Sequence, residues 1–435
     1  MNRTTRRVLR TELLRGAAPV AAAGVLLAGF LIMGAFAGDW AGWSGRWTPL
    51  AASVRLSLMA LGALVAAAAA WQAGRERRRR TSDQIGSTSR PGWQPFVVGW
   101  ASVTLGSSVA MLVVVGACAA LVAPVASYGG GGWVWMIVVA FPGLAALSAL
   151  GALLGRLIPS RLVAPVVAVA VYLPMVGVVD GAGPGVTRWL APVLSPYDAP
   201  GYTIDAAVSL AQFVWFSAVA GTAIMLIVTA QRWLIVVPAG IAVGAAAWLA
   251  SSSPQWEVDR AAVELVCTED GSPEVCLTRL NSFLLDDVAP LARGALAHWE
   301  GIPGAPDRAV DETAQIDHWD AEDEASVRLT LTSGATLSGG YAGSGARSPH
   351  GWEVIDWWPA TTCAGAVTEQ HWSLFEVATA WGIQADAWLE PDSQRYLDAL
   401  MAMPAKDQKN WMGRFLAAAE TCDESVLATL AEELR

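Results

Sequence analysis

The sequence predicts a polytopic α-helical membrane protein, with about six plus one transmembrane helices, followed by a soluble, mostly helical α+β C-terminal domain. Three observations predict it. Long apolar runs fill the first 250 residues of a chain that is 54% hydrophobic and only 15% charged, a balance outside the soluble globular range. The charge divides sharply: residues 1–250 hold 17 Lys and Arg against 7 Asp and Glu, whereas residues 251–435 hold 11 against 31. Four of the five cysteines fall in that acidic part. The basic-edged half belongs in a membrane and the acidic half in water, and an acidic domain argues against a nucleic-acid partner.

Residues 1–17 read as a cytoplasmic amphipathic helix. Val8, Leu9, Leu13 and Ala17 fall near one face, with Arg3, Arg6, Arg7, Arg10 and Arg15 beside them. That is the pattern of a helix lying in the membrane interface; the alternative is a frayed basic tail. "TRRVLR" ahead of an apolar run also has the look of an export signal. The run is long, however, and "GAFAGDW" is a loose cleavage site, so the first span is expected to stay in the protein.

Seven runs approach the roughly 20 apolar residues that cross a bilayer. They are 18–37, 50–72, 96–123, 133–154, 162–182, 207–230 and 233–251. The first six form a domain over 18–232, and the seventh, diluted by Gly, Ala and Ser, stands apart at 233–251. Arg55 and Asp180 are candidate intramembrane polar residues. Arg55 lies close enough to a span end to snorkel toward water, with a substrate or ion contact as the alternative.

Basic residues favour the cytoplasmic side. The N-terminal stretch, the loop after span two, the turn after span four and the turn after span six hold 14 arginines, and the opposite loops hold Arg46 and Arg188 alone. The N-terminus is therefore expected inside, and residues 252–435 outside the cell membrane as an extracytoplasmic acidic domain. Cysteine usage reaches the same side independently, because disulfides persist in exported domains. "CTEDGSPEVC" closes a short loop, which makes Cys267–Cys276 the natural first pair and leaves Cys363 with Cys422. The alternative is four free buried thiols. Nine of the 22 Trp, among them Trp47, Trp93, Trp133, Trp189 and Trp248, lie near span ends, as in an aromatic belt. "GALLG" (151–155) and "GIAVG" (240–244) carry the small-xxx-small spacing that lets helices approach closely.

Much catalytic chemistry is missing. No G-x-x-x-x-G-K-[ST] occurs, so this chain has no P-loop for ATP. "YGGGGW" (128–133) lacks a following Lys and reads as a turn. The four histidines form no H-E-x-x-H, and no G-x-S-x-G occurs. "DHWDAEDE" (317–324) lacks EF-hand spacing and reads as a solvated acidic loop. No catalytic residue, metal ligand or cofactor site is therefore expected in the chain.

The densest basic cluster, "GRERRRRTSDQIGSTSRPGWQ" (74–94), joins spans two and three. Topology alone does not require the polar stretch after the arginines. Residues 1–232 resemble a type-2 ABC-transporter permease, in which an amphipathic cytoplasmic helix is followed by six spans and a cytosolic coupling loop after the second. In this chain the loop covers 73–94. Glu76 matches the family's loop Glu, Thr81 its Thr, Asp83 its acidic residue and Ile85 an apolar position. "STSRP" resembles its break, with Arg90 and Pro91, and Arg80 stands where Gly is usual. Arg75 and Arg77 flank the Glu. The segment 183–206 resembles the family's outer elements between the fifth and sixth spans. The resemblance implies an exporter subunit driven by a separate ATPase that binds ATP and Mg²⁺, works with a second permease copy in a homo- or heterodimer, and docks on this loop.

For the outer domain, "SVRLTLT" (326–332) alternates like a strand. The stretches 283–299, 367–389, 393–403, 406–420 and 424–434 read as helices, and "GIPGAP" (301–306) as a connector. Besides an ABC-exporter permease, a membrane-anchored sensor or scaffold with a ligand- or protein-binding outer domain stays open, as does a tethered hydrolase.

Overall fold

The computed structural model describes residues 3–35, 37, 43–78, 93–158, 160–179, 185–195, 200–252, 256–305, 308–315, 326–329, 332–333, 352–353, 369–383 and 389–435. The chain divides into two compact units. The first comprises Met1–Ala37, Arg46–Val125 and Gly129–Glu257, and the second Gly38–Gly45, Ala126–Tyr128 and Val258–Arg435.

The first unit is helical. Helix α1 (Arg3–Arg15) precedes α2 (Ala18–Ala35), α3 (Trp47–Ala73), α4 (Gln94–Val122), α5 (Trp133–Leu157), α6 (Val163–Val179), α7 (Ala206–Val228) and α8 (Val236–Ser251), the last entered through a 3₁₀ turn at Arg232–Ile235. Six of these are long and apolar enough to cross a membrane. They make this a multi-pass membrane architecture. The expected seventh run, 233–251, is among the six. The fifth expected span, 162–182, is described over 17 residues as α6, about 25 Å at 1.5 Å per residue, and its residues 180–182 lie outside the described residues.

The core of this unit is α3, packed on α5, α6 and α4. Trp47 and Trp133 stack at 4.4 Å where α3 and α5 begin. Further along, a Cβ on Gly151 would lie 2.2 Å from the Ala66 carbonyl oxygen, and one on Gly155 would lie 2.1 Å from that of Ala70. Partner positions rise together in both helices, so α3 and α5 run parallel. Alternate spans of a bundle must do so. Only glycine permits this backbone approach, which gathers dispersion contacts where burial from lipid supplies little driving force. A hydrogen bond between the Thr104 and Ser148 hydroxyls, 2.9 Å, joins α4 to α5.

The second unit is α+β. Strands β1 (Leu265–Cys267), β2 (Glu274–Thr278), β3 (Arg308–Asp311) and β4 (Ser326–Leu329) form a sheet in that order. The first pair is antiparallel and the other two are parallel. Helix α9 (Leu285–His298) makes the β2–β3 crossover that a parallel pair requires. Helices α10 (Glu369–Ile383), α11 (Pro391–Met401), α12 (Ala405–Thr421) and α13 (Glu424–Glu433) follow. The helices lie near their sequence positions, but the alternating pattern announced one strand where the sheet has four.

Large side chains fill this second core. Trp299, Trp411, Phe375 and Phe415 are each at most 2% exposed. Phe375 meets Phe415 edge-on at 5.1 Å, and Trp411 stacks on Phe415 at 5.6 Å. The Trp299 indole N–H donates to the Gly382 carbonyl at 3.0 Å. The carboxylate of Asp311, 1% exposed, accepts from the Thr278 N–H at 3.0 Å, the Thr278 hydroxyl, the Asn281 amide at 2.7 Å and the Thr313 N–H at 3.0 Å. Those donors let a buried charge sit between β2 and β3.

Candidate functional site

The end of α3, the start of α4 and the end of α5 converge within the first unit, and α1 joins the end of α3. On α1, Val8, Leu9, Glu12 and Leu13 are half-buried while Arg10, Leu14 and Arg15 face outward. This inner face is the one expected from the apolar spacing, with Glu12 added to it. The Glu12 carboxylate accepts from Arg75 at 2.7 Å and from the Gln72 amide at 2.9 Å. Both partners stand where α3 gives way to the 73–94 loop. The Arg75–Glu12 pair is partly shielded, with side chains 34% and 21% exposed. Such a pair stabilises by about 1 kcal/mol at most. Its main effect is to fix α1 against the root of the loop.

A helical turn, Arg75–Arg78, continues the chain. The Arg78 guanidinium lies over the Trp71 ring at 4.1 Å and donates to the Trp71 carbonyl. Between the ends of α3 and α5 and the start of α4 lies a small cleft lined by Gln72, Ala73, Arg75, Pro95, Phe96, Gly99, Trp100 and Arg156. Both ends of the 73–94 loop border it.

Of the residues that the permease resemblance singles out, Arg75 is placed by these bonds, and Glu76 and Arg77 belong to the turn by their backbone. Thr81, Asp83, Ile85, Arg90 and Pro91 lie outside the described residues, as do Asp180 and Cys363. The sequence reading did not single out Glu12, Gln72 or Trp100. Glu12 carried a signal: it is the one acid among five arginines, three and four residues from Leu9 and Val8. Gln72 and Trp100 carried none.

Arg55 departs from expectation. It does not snorkel but is 1% exposed in α3. Its Nε donates to the Pro192 carbonyl and its Nη1 to Gln212 Oε1 at 3.3 Å. Gln212 donates in turn to the Trp189 carbonyl at 2.8 Å. The guanidinium is thus retained by the segment between α6 and α7 and by α7 itself. A long side chain reaches water only if no nearer acceptor competes, and here a backbone carbonyl does.

In the second unit Cys267 and Cys276 form a disulfide, facing each other directly across β1 and β2. Glu274 lies within reach of both sulfurs, but a sulfur already in a disulfide has no thiolate for a metal. Cys422 is also disulfide-bonded, and Cys118 is a free buried thiol. His298 lies 4.1 Å from the Trp381 ring. Burial, then repulsion from Lys409, holds its pKa below the ordinary value of 6.5.

No protein-family model, curated protein or solved structure matches the chain.

Proposed function

We propose that this chain is the membrane subunit of an ABC-type exporter, with the loop between the second and third spans as the docking surface for a separate ATPase subunit. One observation carries the reading: α1 is tied through Glu12 to Gln72 and Arg75. The first turn of a cytosolic loop then starts from a braced platform, so force on the loop passes to α1 and α3 together. The sequence adds the loop residues Glu76, Thr81, Asp83 and Ile85, the arginine asymmetry and the missing P-loop. In this reading the N-terminus is cytoplasmic and the acidic unit extracytoplasmic. Two permease copies work as a pair, and ATP and Mg²⁺ are held by the ATPase. Cys363 is then the cysteine left by count for Cys422.

Detergent purification of the intact complex tests this. The expected result is co-purification of a P-loop ATPase that is lost from the E76A/R77A double variant. Labelling of a single cysteine at Ser82 from outside intact cells would overturn it. The sensor or scaffold reading draws on the second unit's own aromatic core, which gives that unit the means to fold as a body of its own. It is favoured if no ATPase accompanies the protein in any complex.

A further inference from the structure

The Cys267–Cys276 bridge lies beside a carboxylate, and together the three side chains have the chemistry of a latent metal site. We infer that, once the bridge is reduced, the two thiolates and Glu274 bind Zn²⁺. This does not depend on the exporter reading.

The ligand atoms of Cys267, Glu274 and Cys276 all lie within 4.8 Å of one another. Glu274 and Cys276 are two residues apart on β2 and so share one face of the sheet. Cys267 stands directly opposite Cys276 on β1, with the Cα atoms 4.0 Å apart. In a tetrahedral site with Zn–S of about 2.3 Å, two sulfurs lie about 3.8 Å apart. Rotation about the Cα–Cβ bonds of two opposed residues reaches that separation. Two thiolates and a carboxylate form a donor set for zinc, and its sulfurs are too soft for Mg²⁺ or Ca²⁺. A fourth position is left for water. The hairpin holds these places without the bridge. The Thr268 N–H donates to the Val275 carbonyl at 3.0 Å, and the Arg293 guanidinium donates to the carbonyls of Asp270 at 2.6 Å and Pro273 at 3.2 Å. On its other side β2 pairs with β3, Cys276 beside Val310.

The two sulfurs differ in access. Cys276 is 3% exposed, whereas Cys267 is half-buried and Glu274 exposed. The reductant is an external dithiol. One of its thiolates attacks Cys267 Sγ, and Cys276 leaves with the electron pair of the S–S bond. The second sulfur of the dithiol then displaces Cys267, so the dithiol is oxidised to a disulfide while the protein gains two electrons and two protons. Zinc displaces both thiol protons to solvent and forms two Zn–S bonds, and the Glu274 carboxylate adds a Zn–O bond. With both sulfurs engaged, reoxidation is blocked. The hairpin thus carries either of two cross-links at one place, a covalent one or a zinc one.

The experiment uses the full-length protein in a neutral detergent, before and after reduction by a trialkylphosphine, which takes oxygen from water and brings no competing thiol. Zn²⁺ retained through gel filtration is counted by elemental analysis, and Co²⁺ reports sulfur ligation through its charge-transfer band. The oxidised protein should retain no zinc, and the reduced protein one ion with the sulfur-to-cobalt band. Cys276→Ser should lose both ion and band. Cys422→Ser, which leaves the hairpin intact, should keep them. Glu274→Gln should keep the band and weaken zinc binding by about tenfold or more, the loss that removal of even an outer partner brings. Glu432→Gln removes an exposed carboxylate on α13 and should change nothing. Equal zinc in the oxidised and reduced proteins overturns the inference, as does a reduced protein without the ion, an unchanged Cys276→Ser or Glu274→Gln protein, or loss in Cys422→Ser. Circular dichroism and monodisperse elution check that each reduced protein stays folded, and a parent protein that unfolds on reduction also overturns the site.

Discussion

In the helical unit the closest approach is made by residues with almost no side chain, Gly151 and Gly155 on Ala66 and Ala70. In the second unit the centre is made by the largest ones, Trp299, Trp411, Phe375 and Phe415. Water rewards removal of apolar area by roughly 25 cal/mol per Å², which favours large rings in a core. Lipid is as apolar as leucine and rewards only fit and satisfied polar groups. A second contrast lies within the helical unit. Gly240 and Gly244 have the same spacing as Gly151 and Gly155, yet nothing lies within 4 Å of where their Cβ atoms would be. Spacing permits a close seam and a facing small residue creates one.

The largest effects should break this contrast. Gly151→Leu or Gly155→Leu would drive a side chain into a helix backbone, and loss of monodisperse protein in detergent is expected. Gly240→Leu should elute like the parent. Equal behaviour of the three variants would refute the α3–α5 seam. Next comes Phe415→Ala, which should cost the second unit about 3–5 kcal/mol and shift its thermal transition while the helical signal of the bundle persists. Asp311→Ala leaves four donors unmet and should cost about 3 kcal/mol, measured by denaturant midpoint. Removing the disulfide with Cys267→Ser opens a loop of nine residues' separation and should cost about 2–3 kcal/mol. The smallest effect is in pH. His298 in the folded unit binds its proton more weakly than in the unfolded chain. The unfolded state therefore holds more protons below about pH 6.5, and stability, complete above that value, falls as pH drops toward the folded pKa. His298→Gln should flatten that slope in pH-resolved melting.

How much could be read from sequence varies with the range of the interaction. Span positions, the amphipathic face of α1 and the Cys267–Cys276 pair were legible because each is a local pattern: a run, a helical spacing, a hairpin. The parallel strands β2 and β3 were not, because β3 lies some 30 residues on and its four residues are too few to show a period. Arg55 was misread for the same reason, since its acceptors are 137 and 157 residues away in sequence. The end of the fifth expected span is untested, because residues 180–182 lie outside the described residues and the described helix runs over Val163–Val179. At the candidate site, the arginines announced a basic end, but nothing local said that Glu12 would reach back to Gln72 and Arg75 or that Trp100 would join Arg156.

The glycine seam also has a mechanical meaning. With carbonyl oxygens of α3 seated in the glycine notches of α5, even a small slide along the axis would ride one backbone up over another. These two helices should therefore travel as a single stiff lever throughout any working cycle. Relative sliding is left to helix boundaries without such notches, such as the one at Gly240 and Gly244 of α8.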